Sequence, residues 1–252
     1  MNMQKQKTLQ NWHLLPIMDS VSSTNTWLKE HADQILDGSV LIAKEQTKGR
    51  GRNERHFHSA KGKGLYLSVL LKKDISSIPF ARLTAWSALA VQKAIVECCQ
   101  LETQIKWVND IVFQGHKLAG ILCEALYDGS TLKAFIIGIG INVYTQPFPP
   151  MDNQPGSIED FALTPPSMDS LILSLLRQLQ ICFYEQKDEQ RLSDYRNASC
   201  VLHKQILVIE GHERYDAYVC GIDDDYGLII ETQGKEKKLQ SGEISIRLSS
   251  NM

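Results

Sequence analysis

The sequence predicts a mixed α/β (α+β) fold followed by a small β-rich unit, and three observations support this. Strand-like and helix-like apolar patterns alternate through the first 200 residues. After Cys200, short strand patterns alternate with glycine-containing turns. The length of 252 residues accommodates one large domain and one small one. We therefore predict two domains, residues 1–200 and 201–252.

The first predicted elements surround a glycine-rich basic segment. The stretch DSVSSTNTWLKEHADQILDGSV predicts a helix, because hydroxyls at Ser22–Thr24 can cap its free N–H groups and Gly38 can end it in a left-handed turn. Strands are predicted at 39–46 and 65–72, where β-forming residues are bounded by turn residues.

The middle of the chain predicts a long helix and then a series of strands. Apolar residues recur at helical spacing after Pro79. The strands are predicted at 105–107, 111–113, 117–126 and 131–143. The run Ala134–Val143 is almost entirely apolar, which predicts a strand buried on both faces. Gly138 and Gly140 within it predict close approach by a neighbouring group or a ligand.

Two more helices and a small β-barrel complete the predicted order. After a proline-rich loop, a strongly apolar helix is predicted at 167–186 and a shorter one at 188–199. Short strands separated by turns, predicted at 204–211, 214–223, 227–232 and 237–248, are typical of a small barrel.

Composition excludes several classes of protein. The chain is 43% hydrophobic and 22% charged with a net charge of −2, so it lacks the broad basic excess of a nucleic-acid-binding domain. No apolar run reaches the roughly 20 residues that span a bilayer, and no signal-peptide core is present, so we predict a cytoplasmic protein without membrane association. The six cysteines show no C-x-x-C spacing, which predicts neither a disulfide framework nor a metal site.

The segment QTKGRGRNERHFHSAKGKG (46–64) concentrates basic residues and glycine between two predicted strands. Its glycines expose backbone N–H groups, and the guanidiniums of Arg50, Arg52 and Arg55 fit phosphate or carboxylate oxygens. The residues leave three interpretations open: a loop that closes over a small anion, a solvated surface loop, or a nucleic-acid-binding arm. The third has no supporting basic face elsewhere in the chain.

A second cluster, KWVNDIVFQGHKLAGIL, places Lys106 and Lys117 on either side of a predicted hairpin. Asn109-Asp110 at its first turn is a common turn pair and needs no further role. Lys117 precedes an apolar strand, so its ammonium has to reach solvent or meet an anion. Asp110 near a phosphate would also suit Mg²⁺.

Two smaller polar groups complete the candidates. The hydroxyls of SSTN (22–25) can cap a helix and can equally recognise a polar, uncharged ligand. Asn142 follows the strand pattern GIGI, where asparagine also occurs simply as a turn residue.

The order and spacing of these motifs resemble one family. STN, the GRGR loop, KWVNDI, KLAGIL, GIGINV and GEISIR occur as in the biotin–protein ligases, and the resemblance extends from about Ile17 to Arg247. It implies a class II synthetase-like catalytic domain, with a mixed or antiparallel sheet flanked by helices, and a C-terminal SH3-like barrel. It also implies the activity of a biotin–[acetyl-CoA-carboxylase] ligase, in which biotin and ATP give biotinyl-5′-AMP and a lysine of a biotin carboxyl carrier protein then displaces AMP.

The resemblance also implies roles for individual residues. The biotin site would contain Ser23, Thr24, Asn25, Gln46, Arg50, Gly51, Arg52 and Lys117. The ATP site would contain Arg52, Arg55, Lys106, Asn109, Asp110 and Asn142. Lys117, Arg52 and Asp110 would be catalytic, with Asp110 contacting the Mg²⁺ that accompanies ATP.

Four departures from the family pattern bear on loop dynamics and the adenine contact. Glu54 replaces a glycine, Ala60 stands where a proline is usual, Val108 replaces the proline of KW-P-ND, and Ser157 stands where some members have an adenine-stacking tryptophan. None of the four removes a charged group that the chemistry needs.

Partners follow from the same resemblance. The short stretch before Ile17 leads us to expect a monofunctional ligase without a DNA-binding domain, and exposed strand edges would allow a homodimer or a carrier-docking surface. The alternatives are a lipoate–protein ligase, which shares the fold and the acyl-adenylate chemistry, and a nucleic-acid-binding module that uses the basic loop.

Overall fold

A computed structural model describes residues 10–52, 55–73, 78–150, 154–240 and 244–248. A seven-stranded sheet dominates the N-terminal part, with strand order β1-β2-β3-β7-β6-β5-β4. Its strands are β1 (His13–Leu14), β2 (Ser39–Ala43), β3 (Gly64–Leu71), β4 (Gln104–Lys106), β5 (Asp110–Phe113), β6 (His116–Asp128) and β7 (Thr131–Asn142). The β1–β2 pair is parallel and the other pairs are antiparallel, so the sheet is mixed, as predicted.

Helices flank this sheet, and a second sheet follows them. The helices are α1 (Thr24–His31), α2 (Phe80–Cys99), α3 (Met168–Gln180), which continues into a π-helical turn at Ile181–Glu185, and α4 (Asp188–Ala198). An antiparallel sheet of order β11-β10-β9-β8-β12 contains β8 (Gln205–Glu210), β9 (Glu213–Ile222), β10 (Leu228–Thr232), β11 (Lys235–Leu239) and β12 (Ile244–Leu248). None of the helices in the described ranges is long and apolar enough to cross a bilayer.

The first helix is shorter than the sequence predicted. It ends at His31, and Ser23 at its N-cap makes no capping hydrogen bond with its side chain. The left-handed Gly38 (φ 73°) leads into β2 instead of ending the helix. The reason is that the chain has to return to the sheet, where the Gly38 N–H donates to the Leu70 carbonyl at 2.8 Å.

The two faces of the seven-stranded sheet carry separate hydrophobic cores. On one face, alternate residues such as Leu67 and Ile137 belong to the large core that also contains α2 and α3. On the other face, Leu70 and Ile136 pack under Leu28 of α1. The central strand β7 is therefore buried on both faces, as predicted from its apolar run.

A loop of the second sheet inserts into the core of the first. Tyr226, between β9 and β10, is buried in a left-handed conformation (φ 63°). Its carbonyl accepts a 2.9 Å hydrogen bond from Trp107 Nε1, and its hydroxyl accepts one of 3.1 Å from Trp86 Nε1. Its ring packs edge-on against Tyr195, whose hydroxyl donates to the Val108 carbonyl. The second sheet thus supports the turn that contains Trp107 and Val108.

We expect Tyr226→Ala to lower the free energy of unfolding by about 3–5 kcal/mol, the usual cost of deleting a buried aromatic side chain. Tyr226→Phe should cost about 1–3 kcal/mol, because it leaves the buried Trp86 N–H without an acceptor. Equilibrium urea unfolding measures both, with Tyr218→Ala, at a partly exposed tyrosine of β9, as the control. Equal losses of unfolding free energy in Tyr226→Ala and Tyr218→Ala would contradict the insertion of Tyr226 into the core of the first sheet.

Candidate active site

A cavity opens where one face of the sheet changes from large to small side chains. On the α1 face, the row Leu70–Ile136 is followed along the strands by the row Ser68–Gly138. In the next row, Gly140 of β7 is paired with Gly120 of β6. On β7 the aliphatic core under α1 therefore gives way to two glycines, while Leu122 of β6 and Tyr66 of β3 occupy the same two rows.

The cavity has a volume of about 540 Å³ and brings all the predicted site residues together. Five of the lining residues are cationic and one is anionic: Arg50, Arg52, Arg55, Lys106, Lys117 and, as the acid, Asp110. The remaining predicted residues that line it are Ser23, Thr24, Asn25, Gln46, Gly51, Asn109 and Asn142. Positive charge is thus concentrated in one cavity of a protein whose net charge is −2.

One end of the cavity is polar and uncharged. The backbone N–H and hydroxyl of Thr24 donate to Gln46 Oε1 at 2.8 and 3.0 Å. The buried Ser68 hydroxyl contacts Thr24 Oγ1 and Asn25 Oδ1, each at 2.6 Å. Gly138 is required here, because a Cβ at that position would lie 2.3 Å from Asn25 Oδ1. The close approach that the sequence predicted at this glycine is confirmed.

The basic segment folds back on itself over the cavity. The Gly51 N–H donates to the Arg55 carbonyl at 2.7 Å, and the Phe57 N–H donates to the Gly49 carbonyl at 3.0 Å. The Phe57 ring lies on the glycine floor, where a Cβ at Gly140 would come within 2.5 Å of it. The described part of the segment is therefore a loop packed on the cavity. Asn53 and Glu54 lie outside the described residues, so the effect of Glu54 stays a prediction.

Arg52 is the deepest of the arginines. Its Nη1 donates to Asn109 Oδ1 at 3.1 Å, which ties the loop to the turn before β5. Burial lowers the pKa of Arg52, although the charge of Asp110 opposes this. A guanidinium remains charged even so, because its ordinary pKa is far above neutrality. Arg52 therefore contributes a fixed, partly desolvated positive charge.

Lys117 meets an anion, which is one of the two outcomes that its position in the sequence left open. Its Nζ lies 2.6 Å from Asp110 Oδ1, and the two side chains are 22% and 19% exposed. Among the described residues that line the cavity, Asp110 is the single carboxylate, and no cluster of three acidic, histidine or cysteine side chains suited to a metal occurs in the described ranges. A single carboxylate suits Mg²⁺ that is bound together with a nucleotide, because Mg²⁺ usually takes one or two protein carboxylates and several phosphate or water oxygens.

Asn142 is buried at the end of β7. Its Nδ2 donates to the Gly156 carbonyl at 3.1 Å, while Oδ1 is buried without a hydrogen-bond partner in the described residues. A buried acceptor of this kind is satisfied when a ligand supplies a donor. Ser157, which follows Gly156, is fully buried, and its backbone N–H donates to the Asp160 carboxylate. A serine has no aromatic ring that could stack on adenine.

Sequence reasoning missed several residues of the site. Phe57, Trp107 and Phe148 line the cavity, and Ser68 and Glu124 bind groups that line it. A signal was available for the last two, because each is a polar residue inside an otherwise apolar strand pattern. Val108, which replaces a proline of the resembled family, is buried in the core, and the peptide bond that precedes it is cis.

Comparisons with known proteins agree with this architecture. The family model for the biotin/lipoate A/B protein ligases matches residues 17–142. The bifunctional ligase/repressor BirA of Bacillus spizizenii is 31% identical over 93% of this chain and 74% of its own length. The biotin–[acetyl-CoA-carboxylase] ligase of Mycobacterium tuberculosis is 29% identical over 92% of this chain and 89% of its own. The structure of the Aquifex aeolicus biotin protein ligase in complex with biotin and ATP has a TM-score of 0.83 at 27% identity, covering 94% of this chain and 99% of that one.

The sheet, the flanking helices and the electropositive cavity define an enzyme of the synthetase-like ligase type. The chain belongs to the biotin/lipoate A/B protein ligase family. The enzyme class and the fold that the motifs implied, those of a biotin protein ligase with a C-terminal SH3-like unit, are confirmed.

We expect Gly138→Ala to lower the free energy of unfolding by about 1–3 kcal/mol, because the added methyl displaces the Asn25 amide. Gly221→Ala is the matched control, since a Cβ there meets its nearest neighbour at 3.8 Å. Urea unfolding of the two variants is the measurement. A Gly138→Ala protein as stable as Gly221→Ala would show that the Asn25 amide is not held in close contact with residue 138.

Proposed function

We propose that the protein joins biotin to a lysine of a biotin carboxyl carrier protein at the expense of ATP. The observation that carries the proposal is that the lining of one cavity combines an uncharged polar network with five cationic side chains. In the first step, a biotin carboxylate oxygen attacks the α-phosphorus of ATP, and pyrophosphate leaves. In the second step, the lysine ε-amine attacks the acyl carbon of biotinyl-5′-AMP, and AMP leaves.

The uncharged end suits the ureido ring of biotin. That ring carries N–H donors and a carbonyl acceptor, and the Thr24, Gln46 and Ser68 network provides complementary polar atoms without net charge. The cavity, whose lining includes Gly138, Gly140 and the Phe57 ring, has room for an apolar bicycle. A buried polar network of this kind discriminates well, because a ligand without matching groups leaves it unsatisfied.

The cationic end addresses the main barrier of the first step. Two anions, a carboxylate and a triphosphate, have to approach each other, and fixed positive charge offsets their repulsion. Arg52, Arg55, Lys106 and Lys117 all line this cavity. Mg²⁺ bound with ATP at Asp110 would neutralise phosphate charge. Asp110 also fixes the Lys117 ammonium until an anionic ligand takes its place beside it.

The nucleotide is placed by residues of the turn before β5 and by Asn142 at the end of β7. Asn109 positions Arg52, and the unpartnered Oδ1 of Asn142 is an acceptor for an amino group such as that of adenine. The loop over the cavity would exclude water from the acyl-adenylate, which otherwise hydrolyses before transfer.

Several partner assignments belong to this proposal. The carrier domain is inferred because the relatives include biotin–[acetyl-CoA-carboxylase] ligases. Cytoplasmic location, homodimer formation, the division at residue 200 and the lack of DNA binding remain predictions.

The proposal is tested by incubating the protein with ATP, Mg²⁺ and either biotin or lipoate, followed by detection of acyl-adenylate and labelled carrier domain by mass spectrometry. We expect biotinyl-5′-AMP and a biotinylated carrier lysine. Labelling with lipoate and not with biotin would contradict the proposal and favour the lipoate branch of the family. DNA affinity that depends on the basic loop, without any acyl-adenylate, would favour a nucleic-acid-binding module.

We expect Lys117→Ala to slow adenylate formation by about 100-fold, the usual effect of removing one charge-stabilising group from an active site. Lys93→Ala is the matched control, because Lys93 forms a similarly shielded 2.5 Å pair with Asp194 outside the cavity. Single-turnover kinetics measures the rate, and urea unfolding compares the two stabilities. Adenylate formation at the wild-type rate in Lys117→Ala would refute the role of Lys117.

A further inference from the structure

A carboxylate beside the cavity gathers groups from three separate segments. Glu124 lies on β6, two residues beyond the cavity-lining Leu122, and its side chain is 13% exposed. Its Oε1 lies 2.6 Å from Lys29 Nζ and 3.0 Å from Arg50 Nη2. Its Oε2 accepts a 2.8 Å hydrogen bond from Asn25 Nδ2. Helix α1, the basic loop and strand β6 therefore meet at this side chain.

The charge of Glu124 determines how Asn25 is oriented. Burial alone would raise the pKa of Glu124, but hydrogen bonds from Lys29 and Asn25 and the charges of Lys29 and Arg50 outweigh it, and the pKa is lowered. An ionised carboxylate accepts hydrogen bonds and donates none. Asn25 therefore turns its amide N–H₂ group toward Glu124 and the Leu122 carbonyl, and its Oδ1 toward the Ser68 hydroxyl.

The same carboxylate holds one arm of the basic loop. Arg50 pairs across the loop with His56 through the backbone, next to the hydrogen bond between the Phe57 N–H and the Gly49 carbonyl. The Arg50 guanidinium reaches Glu124 on the sheet instead of Asp110 inside the cavity. Because Glu124 is largely shielded from water, this pair is screened less than one between two exposed side chains.

We propose that Glu124 is a positioning residue that anchors the basic loop over the cavity through Arg50 and orients Asn25 in the ligand-binding network. The inference rests on the proposed function for the identity of the ligand, biotinyl-5′-AMP. Glu124 makes no contact with the reacting atoms, so it controls how long the adenylate is retained and not how fast it forms.

The central test is Glu124→Gln, which keeps the size of the side chain and removes its charge. We expect biotinyl-5′-AMP to leave the variant about fivefold faster than the wild type, as for the loss of one partly shielded ion pair. The single-turnover rate of adenylate formation at saturating biotin and ATP should be unchanged. Arg50→Gln should also accelerate release, and the double variant should show less than the sum of the two single effects, because the interaction between Glu124 and Arg50 is lost in both.

Lys29→Gln is the matched control. Lys29 shares the Oε1 atom of Glu124 but belongs to α1 and not to the loop. Its loss should change stability to urea as Glu124→Gln does, while adenylate release stays at the wild-type rate. Equal release rates in Glu124→Gln and wild type, or fully additive effects of Glu124→Gln and Arg50→Gln, would overturn the proposal.

A second measurement needs no ligand. Hydrogen exchange of the Phe57 amide, which is bonded inside the loop, should be faster in ligand-free Glu124→Gln than in wild type, and unchanged in Lys29→Gln. If the wild type binds no biotinyl-5′-AMP, the proposed function fails and this measurement still decides whether Glu124 holds the loop. If the adenylate binds and Glu124→Gln leaves hydrogen exchange of the Phe57 amide unchanged, Glu124 does not anchor the loop. The proposed function then still stands.

Discussion

The site depends on a change of side-chain size along one face of a sheet that is otherwise packed on both faces. Under α1 the face is filled by Leu70 and Ile136, and one row further β3 and β7 carry only Ser68 and Gly138. A close-packed interior has no room for a ligand unless side chains are withheld. Withholding them in the central strands places the cavity beside rigid backbone, so its floor is held by the hydrogen bonds of β3, β6 and β7.

The second requirement is electrostatic. Several cations share a partly shielded cavity, and like charges brought together repel unless acceptors hold them apart. The structure provides a different acceptor for three of the five: Asn109 for Arg52, Asp110 for Lys117, and Glu124 for Arg50. These three cations are therefore fixed in direction before any ligand binds. Fixed charge stabilises a developing transition state better than mobile charge, because it needs no reorganisation during the reaction.

The small C-terminal sheet contributes to the same site indirectly, by supporting the turn before β5. Tyr226 accepts hydrogen bonds from Trp86 and Trp107, and Trp107 adjoins the turn that carries Asn109 and Asp110. The turn is thus held by contacts from both sheets. This arrangement links the stability of the second unit to the geometry of the cationic wall, although every charged residue that lines the cavity belongs to the first.

The sequence by itself determined the element types, the second β unit and the candidate polar and charged residues, because periodicity, turn residues and local motifs are properties of neighbouring positions. The mixed sheet and the gathering of those residues at one site were implied by the family resemblance. The sequence also predicted the close approach at Gly138. Tertiary structure alone decided where α1 ends, because the end depends on the hydrogen bond from the Gly38 N–H to Leu70 of β3. It also decided which acceptors Arg50, Arg52 and Lys117 meet. Glu124 and Tyr226 are of this kind: their partners lie far away along the chain, and only the strand register and the insertion of one sheet's loop into the other's core bring them together.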